Sequence, residues 1–167
     1  WDNLLHKYHK QRILSLINPQ EGDALGIGYQ LFQSKVAIGS GGILGKGLGE
    51  GTQSYLRFLP IKDSDFILSV VSEELGLFII LLLIVSFMSF IYASIDYAQR
   101  MFNKFYSLSI IGFCSILFFH LNINMSMITG LLPVIGLPFP FISYGGSFML
   151  TCFFIISIIN NMIYNEL

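Results

Sequence analysis

The sequence predicts an all-α polytopic membrane protein, with three transmembrane helices preceded by a large glycine-rich extracytoplasmic loop. Three observations predict it. The 167 residues are 54% hydrophobic and only 11% charged, with a mean hydropathy of +0.70, whereas a soluble domain carries roughly 25% charged residues. The charges are segregated: eight of ten acidic residues and seven of nine basic ones lie at or before Glu74. After Lys104 no Asp, Glu, Lys or Arg occurs until Glu166, a run that a bilayer solvates and water does not.

Residues 1–64 form the polar segment. Seven of the thirteen residues from Gly39 to Gly51 are glycine, which favours tight turns or close backbone approach. The first span covers about 65–95. Its core, Leu75–Ile95, has no charge over 21 residues, enough for one crossing at about 1.5 Å per residue. The second span covers about 105–129 and the third about 147–164. All three are expected to be helices, because an open strand leaves its backbone unsatisfied in lipid. Between the last two lies an apolar segment, Gly130–Gly146, with three prolines and four glycines. It cannot be a regular helix, and irregular backbone near a bilayer has to be shielded by protein or line a wet cavity. It is therefore expected to fold back into the bundle and wall a site. Arg100 and Lys104 in the short connection after the first span favour a cytoplasmic loop there. Residues 1–64 and about 130–146 are then extracytoplasmic and the C-terminus cytoplasmic. The chain opens with Trp1, which reads as a fragment lacking its N-terminal portion.

Several chemistries fail on the residues. Gly45-Lys46-Gly47 is no phosphate loop: Ser40 stands where that motif needs Gly, and Gly47 where it needs Ser or Thr. His6 and His9 have no partners that complete a metal site. Cys114 and Cys152 sit in separate apolar runs and read as small core residues. The net charge of −1 argues against nucleic acid as a partner. The acids at the membrane edge stand out instead: Asp63 and Asp65 before the first span, Glu73 and Glu74 two turns into it. Ionisable groups at membrane depth mark functional sites. Asp65 and Glu73 are expected on one helix face, with Asp65 a candidate general base. The alternative is that Asp63 or Ser64 caps the helix while the other acids meet water. His120, Asn122 and Asn124 in the second span are expected to hydrogen-bond across helices.

Ordered motifs resemble one family along the whole chain. They are Trp1–Ile13, Gly28-Tyr29-Gln30, Gln33-Ser34-Lys35, Ala37-Ile38-Gly39-Ser40-Gly41-Gly42, Gly45-Lys46-Gly47 and Gly51-Thr52-Gln53-Ser54. Phe58-Leu59-Pro60, Asp65-Phe66, Glu73-Glu74-Leu75-Gly76, Asn124, Gly130-Leu131-Leu132-Pro133 and Pro140 through Ser147 follow. The pattern resembles the SEDS (shape, elongation, division, sporulation) membrane proteins, in the RodA type more than the FtsW type. The resemblance implies a ten-span fold, of which this chain is the large loop and the last three spans. It implies a peptidoglycan glycosyltransferase that polymerises lipid II during elongation and shape maintenance, on the outer face of the bacterial inner membrane. Asp65 matches the family's essential aspartate and is the implied catalytic base. Lys46, Gln53, Ser54, Glu74, Ser143 and Tyr144 are the implied substrate-binding residues, with Lys46 first and Lys35 second in line for the leaving diphosphate. The implied partners are a class B penicillin-binding protein and the elongation machinery. A divalent cation, Mg or Mn, would serve the same diphosphate, but no site for it is readable.

Three departures stand out. Ile61 replaces an acid and Asp63 a histidine, so that Asp63 either restores the lost charge or repels the Asp65 carboxylate. Ser126 also stands where the family has Gly. A flippase or transporter, and a non-catalytic scaffold of the elongation machinery, are the competing readings. The fragment alone is expected to be inactive, since a groove between helices would lack one side.

Overall fold

The structure, a computed structural model, describes residues 27–52 and 64–166. All regular structure among them is helical: α1 (Ile27–Gly41), α2 (Ile67–Arg100), α3 (Lys104–Thr129) and α4 (Gly146–Tyr164). The last three are long and apolar enough to cross a membrane. α2 counts 34 residues but is interrupted at Gly76; its longer part, from Leu77 to Arg100, spans about 36 Å at 1.5 Å per residue, enough to cross a hydrocarbon core of about 30 Å.

The helix limits differ from the sequence expectation in instructive ways. Asp65 precedes α2, in a turn formed by Ser64–Phe66, so helical spacing does not relate it to Glu73. The N-cap is Phe66, with no side-chain cap bond. Neither the expected Ser64 cap nor an Asp65 position inside the helix is realised, and Asp63 lies outside the described residues. At its other end α2 runs past Ile95 to Arg100, whose guanidinium pairs with Asp96 one turn back at 2.7 Å. Asn103 then caps α3 by accepting from Phe105 N–H at 3.0 Å. α3 ends where Gly130 turns left-handed (φ 76°). The N–H groups of Leu131 and Gly130 return to the carbonyls of Ser126 and Met127, the glycine-terminated helix stop that satisfies orphan carbonyls.

The glycine-rich segment was not expected to hold a helix, yet α1 lies in it and packs on α2 and α3. Its joint is a serine. Ser34 Oγ lies 2.7 Å from Ser69 Oγ of α2 and donates to the Ile128 carbonyl of α3 at 3.0 Å. Small residues let these backbones approach closely.

Two buried clusters divide the bundle along its length. One gathers Ile91, Ala98, Ile110, Cys114, Leu117, Cys152, Ile155 and Ile159 from α2, α3 and α4; the two cysteines are core residues there, as their sequence surroundings suggest. The other gathers Leu31, Phe66, Leu68, Ile80, Leu121, Met127, Ile128, Val134 and Phe139. In this second half α4 is absent from the core, and α1 together with the proline-rich loop takes its place. Tyr97, Tyr164 and Glu166 lie toward the end that carries Arg100 and Lys104. There the Glu166 carboxylate accepts from Phe102 and Asn103 N–H at 3.1 and 2.9 Å.

Candidate active site

The proline-rich loop, residues 130–146, folds back into the bundle as its composition predicts. Phe139 is buried, and the rings of Phe139 and Phe141 stand 6.3 and 5.9 Å from the ring of Phe87, well inside α2. Phe141 adopts a left-handed backbone (φ 65°), costly for an aromatic residue, while its ring packs on both Phe87 and Phe153.

This loop grips the turn that carries Asp65. Asn124 Nδ2 donates to the Asp65 carbonyl at 3.1 Å and to the Leu137 carbonyl at 2.6 Å. Two acceptors facing one amide fix its orientation, since the flipped amide would set oxygen against oxygen. The Ser143 hydroxyl donates to the Ser64 carbonyl at 2.6 Å and accepts from Phe139 N–H at 2.6 Å. Every one of these bonds goes to main chain, so the Asp65 carboxylate is left for other work. It lies over Gly136: a Cβ there would sit 3.1 Å from Asp65 Oδ2. Gly136 also has φ 81°, a conformation glycine tolerates best. The result is a partly exposed carboxylate at the foot of a re-entrant loop, on a turn held from two sides.

A second cluster lies farther along α2. The helix breaks at Gly76 (φ 80°, ψ 173°), a region of backbone space essentially restricted to glycine. A helix would join Leu77 and Phe78 N–H to the Glu73 and Glu74 carbonyls. Here the glycine loop takes all four groups. Leu77 and Phe78 N–H donate to Gly42 and Ile43 carbonyls at 3.0 and 3.1 Å, while Lys46 and Gly47 N–H donate to Glu73 and Glu74 carbonyls at 2.9 and 3.0 Å. Such contact demands bare backbone. A Cβ on Gly41 would strike Ser72, one on Gly45 would strike Glu74 and Leu75, and one on Gly76 would strike Ile43, Leu44 and Gly45. The glycine-rich composition is thus the signature of close approach, as expected of it.

The same docking makes an ion pair. Lys46 Nζ lies 2.7 Å from Glu73 Oε1, with the two side chains 28% and 0% exposed. The Thr52 hydroxyl donates to the same oxygen at 2.9 Å and accepts from Lys46 at 3.0 Å. Two of the three ammonium donors are thereby used. Removing one partner of a fully buried pair costs about 3–5 kcal/mol, and with Lys46 28% exposed the Lys46→Met variant is expected to lose less than that, still enough to lower the melting temperature. A melting temperature equal to that of the native protein would show that the pair contributes no stability.

The sequence-predicted residues divide between these two places. Asp65 and Ser143 belong to the proline-loop grip. Ser143 is buried with its hydroxyl taken by main chain, so it meets the site only through Ser64. Tyr144 beside it is exposed. Lys46 and Glu74 belong to the glycine-loop cluster, where the Glu74 carbonyl receives Gly47. Asp65 stands eight residues before Glu73, in the turn that precedes α2. Gln53 and Ser54, with Ile61, Asp63, His6 and His9, lie outside the described residues. Lys35 is exposed, with its ammonium against Gly130. Of the polar residues in the second span, Asn124 bonds across elements as expected. Asn122 returns instead to its own helix at the Phe118 carbonyl, 2.8 Å away, and the His120 ring packs on Phe148 with centroids 5.1 Å apart. Among the described residues no three His, Cys, Asp or Glu side chains gather as a metal site. Sequence reasoning missed the roles of Gly136 and Gly76; a lone glycine in an apolar run signals that backbone or a ligand passes close, but not which.

Three helices able to cross a membrane, an apolar loop folded back among them and a broken span define a multi-pass membrane protein. The chain belongs to the FtsW, RodA and SpoVE family of cell cycle proteins, whose family pattern matches residues 1–166. MrdB of Escherichia coli K12, named a peptidoglycan glycosyltransferase, is 46% identical over 147 residues, 88% of this chain and 40% of MrdB. FtsW of Geobacter metallireducens, named a probable peptidoglycan glycosyltransferase, is 42% identical over 158 residues, 93% of this chain and 41% of its own. FtsW of Buchnera aphidicola from Acyrthosiphon pisum is 43% identical over 147 residues, 86% and 36% of the two chains. The chain thus spans about two fifths of the length of these relatives.

Proposed function

We propose that the protein is a RodA-type peptidoglycan glycosyltransferase that polymerises lipid II at the outer face of the bacterial inner membrane during cell elongation. The observation that carries this reading is the Asp65 carboxylate, presented over Gly136 on a turn whose main chain is fixed by Asn124 and Ser143. A carboxylate so placed is suited to general base catalysis, which needs positioning before anything else. Asp65 takes the proton from an acceptor sugar hydroxyl as that oxygen attacks the anomeric carbon of the donor. The bond from that carbon to the diphosphate breaks, and the lipid diphosphate leaves with its electrons.

The leaving group needs positive charge. The remaining Lys46 donor supplies it, its carbon stem and ammonium held in place by Glu73 and Thr52. Gln53, Ser54, Glu74 and Tyr144 complete the contacts to the sugar and peptide of the substrate, and Ser143 acts only by holding the turn. A divalent cation, Mg or Mn, would add charge at the same diphosphate, with ligands drawn largely from phosphate and water. The glycine and proline loops face the outside, and the Arg100 and Lys104 connection faces the cytoplasm. A class B penicillin-binding protein of the elongation machinery is the partner that cross-links the product.

The break in α2 favours one competing reading, since transporters build sites from discontinuous helices. One experiment separates the two. The full-length protein and its transpeptidase partner are placed in liposomes with labelled lipid II, and both glycan polymer and transbilayer movement are followed. Polymer supports the transferase. Movement of lipid II without polymer overturns it in favour of a flippase, and neither product leaves the scaffold reading in its place.

A further inference from the structure

The docked glycine loop leaves large aliphatic side chains uncovered at its tip. Ile43, Leu44 and Leu48 are 71%, 84% and 78% exposed. A cluster of this kind marks an interaction surface. What it meets is set by depth, and hydrogen bonds fix the depth. Gly42 and Ile43 carbonyls accept from Leu77 and Phe78 N–H, so the tip is level with those two residues of α2. From Leu77 to Ile95 the helix carries no charged residue, and 19 residues at about 1.5 Å each give about 28 Å, the thickness of the hydrocarbon core. The Asp96–Arg100 pair marks the boundary at the far end. Leu77 and Phe78 therefore stand at the near boundary. Both are exposed, and the exposed run continues along the same helix through Leu81, Leu82 and Val85, at the spacing that places residues on neighbouring faces. The loop tip extends this apolar face.

Much of the loop's main chain is also satisfied from within the protein, as irregular backbone near lipid requires. Gly42 and Ile43 carbonyls and the N–H groups of Gly45, Lys46 and Gly47 are all engaged, Gly45 with the Gly41 carbonyl at 2.9 Å. No charged residue occurs from Val36 to Gly45, and the Lys46 charge beyond them is met by Glu73. We infer that Ile43 and Leu44 insert into the bilayer at the boundary between acyl chains and headgroups, so that the glycine loop is a lipid anchor and not an aqueous connection. This inference rests on the span and the loop geometry and is independent of the reaction proposed above.

Nitroxide labels test it directly. Leu44→Cys and, as an aqueous control, Glu50→Cys are labelled in the full-length protein, with its native cysteines replaced, in phosphatidylethanolamine–phosphatidylglycerol liposomes. Both positions are exposed, so neither substitution disturbs packing. Collision rates with oxygen, which concentrates in lipid, are compared with those of a water-soluble nickel chelate. The label at 44 is expected to favour oxygen several-fold more strongly than the label at 50. Equal preference at both positions would overturn the anchor and put the tip in water. A label at 44 shielded from both reagents would overturn it in favour of a protein cover.

Discussion

Asp65→Asn is expected to abolish glycan polymer from the full-length protein in lipid II, with the rate per folded molecule falling by at least about 10²–10⁴-fold, the range of a lost general base. The substitution is unusually clean at this site. Asn has the shape of Asp, and the bonds that hold the turn run to the main-chain carbonyls of Ser64 and Asp65 from Ser143 and Asn124. None of them involves the carboxylate. Gly136 leaves room for either head group. Melting temperature and lipid II binding should therefore stay near the native values while turnover disappears. Polymer made by the variant at more than a tenth of the native rate would remove Asp65 from the role of base.

The largest structural effect is expected at Gly76. Gly76→Ala faces two penalties together. The native backbone there (φ 80°, ψ 173°) is nearly closed to residues with a Cβ, and that Cβ would collide with main-chain atoms of Ile43, Leu44 and Gly45, which cannot rotate away as a side chain would. The loop has to undock, with a destabilisation of more than about 4 kcal/mol, the level reached only when a specific fixed feature is lost. Hydrogen exchange reads the consequence residue by residue. Lys46 and Gly47 amides should lose protection, while Leu77 and Phe78 amides keep it by returning to helical partners. Gly112→Ala is the control: a Cβ there meets nothing within 4 Å, so it should be neutral or slightly stabilising, as alanine is in a helix. Protection retained at Lys46 and Gly47 in Gly76→Ala would refute the account of the break.

The spans were legible because lack of charge over a long run has one physical solution in a chain of this kind. Their ends were less so. α2 runs on to Arg100 past the charge-free run, and the exposed Asp96–Arg100 pair there is a local contact that hydropathy does not see. α1 was hidden, since Gly39 and Gly41 weaken its helical pattern and the forces that fix it, through Ser34, Ser69 and Ile128, come from other elements. The re-entrant proline loop was legible from composition alone, because apolar irregular backbone has few places to go. Asp65 stood out by its position at the membrane edge and by the motif around it. Its surroundings did not: Asn124 and Gly136 reach it through the folded chain, and nothing near Asp65 in sequence announces them. Lys46 shows the opposite failure. Its charge was legible, but the buried Glu73 that engages it lies 27 residues away.

The exchange at Gly76 also makes bend and loop a single feature. Two bonds that a continuous helix would close within α2 give way to four bonds between loop and helix, so neither the bend nor the docked loop has its main-chain groups satisfied without the other. The Lys46–Glu73 pair spans the same junction, and the shape of α2 is therefore a joint property of two segments far apart in sequence.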